Sequence, residues 1–227
     1  MRQFYTVPLS SSDYSTGNRI MELAMLEDLK LSGKVKEELT GHWGRQICLL
    51  KGQKDNIQHQ EEIRKQLVEI FLGAQIESVT YQKADNPRAP VTLEYKVTFS
   101  GREQLMGAKL LIQPSKYLSK TTNPFLFDKR ETPLVFNHSF HNDEVLNMTL
   151  PNTWEVEALP KKASFKNEVG VCEINCVVRG QMITVQRMFQ LNHAFINKEY
   201  YPSVRELFQF QKELDGATII LREKNTS

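Results

Sequence analysis

Two adjoining stretches decide the fold: Glu199-Tyr200-Tyr201-Pro202-Ser203-Val204-Arg205-Glu206-Leu207-Phe208 and, shortly after it, Leu214-Asp215-Gly216-Ala217-Thr218-Ile219-Ile220-Leu221. Pro202 suits the first turn of a helix, where its missing N–H is no loss, and Gly216 suits the end of that helix. The apolar residues between them share one helix face. We therefore expect a helix over about 202–214, followed at once by an apolar closing strand. This pattern describes a scaffold, and nothing in it performs chemistry.

Most of the remaining pattern is typical of β-strands. Val91–Phe99 alternates five apolar residues with four polar ones, as in an antiparallel sheet with one solvent-exposed face. Arg179-Gly180 separates the runs Cys172–Val178 and Met182–Leu191 and predicts a hairpin turn. Residues 21–30 have a helix-forming composition, but Ser32-Gly33 leads them into a partner run, so we prefer a second hairpin there. Further strand candidates are Gln46–Leu50, Gln75–Gln82, Lys109–Gln113, Pro133–Phe136, Val145–Leu150 and Ile219–Arg222.

The second predicted helix runs over about 55–72, with one broad apolar face and Gly73 as its stop. Turn-forming residues are densest over 114–133, which favours a domain boundary there. The sequence therefore predicts a mainly β fold with two β-rich units of antiparallel sheets or β-sandwich, each carrying one helix. Residues 1–116 would form the first unit. Residues 117–227 would form a sandwich-like unit closed by its helix and final strand.

Composition limits the classes of function. The 227 residues carry a formal net charge of +2 with 25% charged residues, which lacks the clustered basic face of a nucleic-acid-binding protein. No segment approaches the roughly 18 apolar residues of a membrane helix. Met1–Pro8 lacks the apolar core of a signal peptide. Either the protein is cytoplasmic, or a leader and more has been removed.

The three cysteines do not form a recognisable reactive or metal site. Cys172 and Cys176 alternate with polar neighbours, which places both thiols on the apolar face of one strand. Four residues along a strand separate them by roughly 13 Å, beyond the reach of a disulfide or a shared metal ion. Cys48 lies in a strand-like run, whereas a nucleophilic cysteine needs a helix N-terminus and a histidine.

The histidines and acids give no catalytic arrangement either. A spacing of three on an extended segment puts His138 and His141 on opposite faces, without a local third metal ligand. His42 and His193 lie beside aromatic residues and are expected to complete packing. Asp143 and Glu144 are adjacent acids in an expected turn. We therefore predict no catalytic, cofactor-binding or metal-binding residues, and no cofactor.

A series of short landmarks along the chain resembles one known family. The landmarks are Leu29-Lys30-Leu31-Ser32-Gly33-Lys34, Thr40-Gly41, Arg45, the helix over 55–72, the strand after Pro90, Lys129-Arg130-Glu131-Thr132-Pro133-Leu134-Val135-Phe136, Leu150-Pro151, and the Tyr201-Pro202 helix with Ile219-Ile220-Leu221. From about Pro8 to Leu221, the chain resembles the C-terminal β-rich region of bacterial, Bacteroidetes-type exported transglutaminase-like proteins. In that family this region follows a papain-like Cys-His-Asp core.

The resemblance implies a role in support of a catalytic core, because no residue here matches the nucleophile, histidine or aspartate of that core. It implies the periplasm or cell envelope, and as partner the core of the same parent chain or another envelope protein. A stand-alone glycan- or protein-binding module is the alternative, with Tyr5, Tyr14, Trp43 and Trp154 as candidate stacking surfaces. An independent enzyme with an unrecognised site is the third hypothesis.

Overall fold

The computed structural model describes residues 9–51, 54–71, 73–100, 104–118 and 123–224. Its strands confirm the mainly β prediction. In chain order they are β1 (Thr16–Met25), β2 (Leu31–Leu39), β3 (Gln75–Gln82), β4 (Val91–Phe99), β5 (Gln104–Met106), β6 (Lys109–Ile112), β7 (Leu134–Val135), β8 (Phe140–Thr149), β9 (Trp154–Ala158), β10 (Ala163–Lys166), β11 (Gly170–Arg179), β12 (Met182–Leu191), β13 (Phe195–Ile196) and β14 (Ile219–Glu223). The helices are α1 (Gly41–Lys51), α2 (Asn56–Ile70) and α3 (Tyr201–Asp215).

Eight strands form one large sheet in the order β10-β11-β12-β8-β1-β2-β4-β3. Both predicted hairpins are present, β1 with β2 and β11 with β12. Gly180 has a φ of +60° in the turn of the second hairpin, a conformation that glycine adopts without steric cost. All neighbours are antiparallel except β1 and β8, which run parallel at the centre of the sheet.

Two of the three sheets in the described part of the chain take strands from both sides of the predicted boundary between residues 116 and 117. The large sheet takes β1–β4 from the first predicted unit and β8 and β10–β12 from the second. A four-stranded sheet, in the order β5-β6-β14-β9, is mixed in the same way. The boundary itself stays a prediction, but the two predicted units share their sheets.

Helix α1 is the main departure from the sequence prediction. The predicted strand Gln46–Leu50 is wrong, because these residues lie within α1, and the described part of the chain has three helices where two were expected. Buried Ser15 accepts a hydrogen bond from the backbone N–H of His42 (3.2 Å) and so caps the start of the helix. Helix α1 packs on α2 and against β1 and β2. Tertiary packing thus overrides the β-like composition of the run.

The other two helices lie where the sequence predicted them. Asp55 caps α2 by accepting a hydrogen bond from the N–H of Gln58 at 2.8 Å. Helix α2 packs against β3, and α3 packs against β10 and β11. The N–H of Gly216 bonds to the carbonyls of Lys212 and Glu213 and ends α3. The helices therefore cover one face of the large sheet.

One contiguous core joins these layers. The odd-numbered residues of β1 and β2 and the even-numbered apolar residues of β8 point into this core, because side chains alternate along a strand. The opposite face is polar, with an Asn147 amide donating to Glu22 at 2.7 Å across β8 and β1. The candidate site lies on the inner face, where β1, β2 and β8 meet the helices.

Candidate functional site

The cysteines lie apart and are poor nucleophiles. Cys48 sits late in α1, away from the helix N-terminus. Burial, with Asp215 and Glu173 nearby, raises the pKa of Cys172 to about 12. Burial also raises the pKa of Cys176 to about 11. Both are free thiols on β11, as the alternation predicted, and are protonated at neutral pH.

The histidines do not converge on a metal site. His141 Nε2 lies 2.9 Å from Asp143 Oδ2, and both side chains reach solvent. His138 instead stacks on the His42 ring, with centroids 4.7 Å apart and planes 11° apart. His193 is exposed. Within the described ranges, no group of three histidine, cysteine or acidic side chains is arranged to hold a metal ion.

A row of buried charges crosses the inner face of the large sheet, and we call it the charge row. Glu37 on β2 lies opposite Arg19 on β1, Arg19 lies opposite Glu144 on β8, and Glu144 lies opposite Arg187 on β12. Asp215, at the end of α3, completes the row. The charges alternate in sign from strand to strand, so each arginine lies between two carboxylates.

Short hydrogen bonds connect the charge row. Arg19 Nε donates to Glu37 Oε1 at 2.9 Å and Arg19 Nη1 donates to Glu144 Oε1 at 2.7 Å. Arg187 donates Nε to Glu144 Oε2 and Nη1 to Asp215 Oδ1, both at 2.7 Å. The Tyr95 hydroxyl also donates to Glu37. Few protein interiors hold five charged groups, and here each arginine is paired twice.

Burial and ion pairing shift the pKa values of the two arginines in opposite directions. Burial alone would lower the pKa of Arg19, but Glu37, Tyr95 and Glu144 together raise it above the ordinary value. The pKa of Arg187 is raised for the same reason, because Glu144 and Asp215 stabilise its charged form. The Cζ atom of Arg19 also lies 4.9 Å from the centre of the Phe71 ring, a cation–π contact. Both guanidinium groups therefore stay charged inside the protein.

The charge row was not predicted from the sequence, and the turn expected at Asp143 and Glu144 is wrong, since both residues lie within β8. The alternation of apolar and polar residues along β1 and β8 did contain a signal for these buried charges. Arg19 has the same parity as buried Met21 and Leu23 on β1, and Glu144 has the parity of Leu146 on β8. A charged residue at an apolar position of a strand indicates a buried partner.

A pocket of about 230 Å³ opens over one end of the charge row, between the sheet and helices α1 and α2. Gly17, Arg19, Glu37, Asn142 and Glu144 form its floor on β1, β2 and β8. The remaining lining comes from β-strand and helix side chains: Leu39, Trp43, Gln46, Ile47, Ile63, Gln66, Leu67, Ile70 and Leu93. The pocket thus combines a polar floor with mostly apolar walls, as small-molecule sites do.

Aromatic and imidazole rings pack beside this pocket. Trp43, which lines it, contacts His138 edge to face at 4.6 Å between centroids. Tyr14 packs edge to face on His42 at 5.4 Å. Ser15 Oγ lies 2.8 Å from His42 Nδ1, but Ser15 is fully buried and caps α1, so this pair lacks access to a substrate. We call these rings the ring cluster: Tyr14, His42, Trp43 and His138. The ring cluster stabilises the start of α1, and with it one wall of the pocket.

A second surface lies on the short ribbon of β7 and β13. Leu134 and Ile196 pair on its buried side, while Val135 and Phe195 pair directly opposite each other on its exposed side. Val135 is 77% exposed and Phe195 is 48% exposed. A third exposed side chain, Tyr200, lies near Phe195. We call these three exposed residues the ribbon patch: Val135, Phe195 and Tyr200.

The ribbon patch borders a shallow depression of about 210 Å³. Phe195 and Tyr200 line it together with polar Glu168, His193 and Asn197. Among the described residues, Phe195 and Tyr200 take the place of the aromatic residues that were predicted as stacking surfaces. Tyr5 lies outside the described residues, Tyr14 and Trp43 belong to the ring cluster, and Trp154 is buried.

A family model described as "Domain of Unknown Function with solved-structure structure (DUF3858)" matches residues 108–221, which is half of the chain. The match runs from the residue before β6 into β14, the two central strands of the small sheet. No curated protein and no solved structure matches the chain. Across the described residues, the helices are too short or too polar to cross a membrane.

Proposed function

We propose that this chain, which belongs to the DUF3858 family, is a non-catalytic accessory region of a transglutaminase-like envelope protein. In this proposal it supports or positions a Cys-His-Asp catalytic core of the same parent chain, or a partner protein, in the periplasm or cell envelope. The sequence landmarks from Leu29–Lys34 to Ile219–Leu221 support the relationship to transglutaminase-like proteins. The chemistry of the chain supports the non-catalytic role, since both thiols on β11, buried Cys172 and half-buried Cys176, are protonated at neutral pH.

The ribbon patch is the observation that carries the proposal. A two-stranded ribbon that is apolar on both faces needs a cover on each, and here the core covers only the face with Leu134 and Ile196. Exposed groups of apolar side chains mark interaction surfaces in soluble proteins. Aromatic side chains at such positions contribute much of the binding energy of protein interfaces.

The test begins with the DNA upstream of the codon for Met1. We expect a reading frame, in the same gene or beside it, that encodes a Cys-His-Asp core. The chain and that core are then mixed, and hydrogen exchange of the backbone amides is measured by mass spectrometry. We expect protection at 134–135 and 195–196, and loss of association by about tenfold or more in Phe195→Asp. Leu49→Asp, at an exposed apolar position on α1, is the matched control.

Two results would overturn the proposal. One is the absence of any such core from the gene and its neighbours. The other is a core that binds without protecting the ribbon, or that binds Phe195→Asp and wild type equally.

The depression beside the ribbon patch favours a second candidate function, a stand-alone glycan-binding module. Phe195 and Tyr200 offer two exposed rings on one concave surface, and Glu168 and Asn197 offer hydrogen bonds beside them. Sugar rings stack on aromatic side chains and bond to such groups. Titration with chitohexaose and with cellohexaose tests glycan binding. Backbone amide shifts of the ¹⁵N-labelled chain are followed by NMR. Saturable shifts that disappear in Tyr200→Ala support this function, and unchanged spectra with both sugars exclude these glycans.

A further inference from the structure

We propose that the pocket over the charge row binds a small neutral organic molecule with an apolar body and a primary carboxamide head. The proposal is independent of the accessory role, because it concerns the inner face of the sheet and not the ribbon patch. It rests on the shape of the pocket and on the hydrogen-bonding groups at its floor.

Gly17 has no side chain, which leaves room for the Asn142 amide at the floor of the pocket. Gly17 pairs with Asn142 across β1 and β8, on the same face as Arg19. A Cβ atom at Gly17 would lie 2.8 Å from Asn142 Oδ1 and 3.7 Å from a Leu39 methyl group. The Asn142 amide therefore leans over the glycine, and the space above it stays open to the helices. An amide at the floor of a pocket offers one donor group and one acceptor.

Two floor residues have hydrogen-bonding capacity left for a ligand. Both Arg19 and Tyr95 donate to Oε1 of Glu37, and Oε2 has no partner among the residues described. The Asn142 side chain likewise makes no hydrogen bond within the described ranges, although it is only partly exposed. Groups at this depth that lack a protein partner require one from water or a ligand. The floor thus offers two acceptor oxygens and one amide donor.

The hydrogen-bonding groups at the floor favour a neutral head. Arg19 already pairs with Glu37 and shares Glu144 with Arg187. A carboxylate on the ligand would face the carboxylate of Glu37, and an ammonium would leave the Asn142 Nδ2 donor without an acceptor, and both are costly at this depth. A carboxamide carries donors and an acceptor on one head. Its N–H groups would donate to Glu37 Oε2 and Asn142 Oδ1, and its carbonyl oxygen would accept from Asn142 Nδ2.

The walls of the pocket determine the size and polarity of the ligand beyond its head. Ile47, Ile63, Leu67 and Leu93 present aliphatic surface from α1, α2 and β4. A volume of about 230 Å³ accommodates a chain or ring of roughly six carbons beyond the head. The rim carries Gln66, whose partly exposed side chain leaves the entrance open to solvent.

The experiment compares three probes with one body and different heads: hexanamide, hexanoate and hexylammonium chloride. Each is titrated at pH 7 into the ¹⁵N-labelled full chain, and backbone amide shifts are followed by NMR. We expect hexanamide to give saturable shifts at Gly17 and along α1 and α2, with the two charged probes weaker by about tenfold or more. Tighter binding of hexanoate or of hexylammonium would overturn the neutral head, and no saturable shift with any probe would overturn the site.

Variants test the position of the ligand separately. Gln66→Trp fills the entrance and should abolish the hexanamide shifts, whereas Gln60→Trp, on the same helix and outside the pocket, should preserve them. Asn142→Ala removes the amide without touching the charge row and should weaken hexanamide about fivefold or more. Circular dichroism melting curves verify that each variant folds. Wild-type affinity in Asn142→Ala would contradict the assignment of the floor.

Discussion

Arg19 and Glu144 lie directly opposite each other on the parallel strands β1 and β8, and Arg19 Nη1 donates to Glu144 Oε1 at 2.7 Å. The two residues are 125 positions apart in the sequence. Glu144 lies inside the segment that matches the family model, and Arg19 lies outside it. Their ion pair therefore ties the early strands to the family-matched half at the centre of the large sheet.

Replacing Arg19 should destabilise the fold more than replacing Glu144. The charge row holds two arginines and three carboxylates. Arg19→Met leaves one arginine for three carboxylates, with Glu37 lacking a cationic partner, so we expect a loss of about 3–5 kcal/mol in the free energy of unfolding. Glu144→Gln leaves Arg19 with Glu37 and Arg187 with Asp215, and should cost clearly less. Urea unfolding at pH 7 measures both.

The matched control for this pair is Asp143→Asn, one residue from Glu144 on the exposed face of the same strand. It should change stability by no more than about 0.5 kcal/mol. Equal losses of stability in Arg19→Met and Glu144→Gln would show that the excess of carboxylates does not determine the stability of the charge row.

Gly33→Ala should be strongly destabilising. Gly33 pairs with Leu23 on β1, and a Cβ atom at Gly33 would lie 1.9 Å from the carbonyl oxygen of Glu22, so the central strands would have to separate. We expect a loss of at least about 1–3 kcal/mol in thermal or urea unfolding. Gly216→Ala is the control, since Gly216 has helical backbone angles and an added Cβ meets only a contact of 3.3 Å. Equal melting temperatures for the two variants would contradict the prediction.

The sequence predicted those parts of the fold that short-range periodicity determines. Alternation located β4, β11 and β12, and capping residues located α2 and α3, because each of these elements buries one face of its own pattern. It did not predict that β1 and β8 pair in parallel. That contact joins residues more than a hundred positions apart, and no local pattern encodes it.

Helix α1 and the pocket could not be predicted from the sequence, because both depend on contacts between distant residues. Ile47-Cys48-Leu49-Leu50 resembles a strand, and its helical state depends on the Ser15 cap and on packing against α2. The pocket floor depends on Gly17 and Asn142 meeting across two distant strands. The charge row could have been suspected from Arg19 and Glu37 at apolar positions, but the identity of each partner required the register.

Cys172 should resist alkylation in the folded protein. Its pKa of about 12, raised mainly by burial, leaves on the order of a thousandfold less thiolate at pH 8 than a thiol with the ordinary value of 9.0. Cys176, with a pKa of about 11, should react faster than Cys172. Iodoacetamide labelling at pH 8 with peptide mapping measures both, and the guanidinium-unfolded chain gives the reference. Rapid labelling of Cys172 in the folded chain would contradict its burial.

The protein should lose stability as the pH falls below 6.5. Burial, and then the neighbouring His42, lower the pKa of His138 from 6.5 in the folded state. The unfolded chain therefore binds the proton more readily, so the stabilisation is complete above pH 6.5 and is lost as the pH falls through the folded pKa. The groups that face His138 are the rings of His42, Trp43 and Phe140.

Urea unfolding at pH 7.5 and pH 5.0 measures this dependence. His138→Phe should show a smaller loss between the two pH values than wild type, because it removes the titrating ring and keeps an aromatic contact. His193→Gln, at an exposed position, is the control. A loss in His138→Phe that equals the wild-type loss would assign the acid sensitivity to other groups.

The family-matched segment should not fold by itself. Residues 108–224 retain β8, β12 and α3, but they lack β1, which bonds the other edge of β8, and they lack α1 and α2, which cover the other half of the sheet. Leu146 and Met148, both fully buried in the whole chain, would lie next to a free strand edge. Glu144 would lose Arg19. We therefore expect this segment to aggregate or to give a poorly dispersed ¹⁵N spectrum, whereas the full chain gives a dispersed one. A dispersed spectrum of 108–224, with β8, β11 and β12 shifts equal to those of the full chain, would show that the shared sheet is dispensable and that the pairing of Arg19 with Glu144 is not needed for folding.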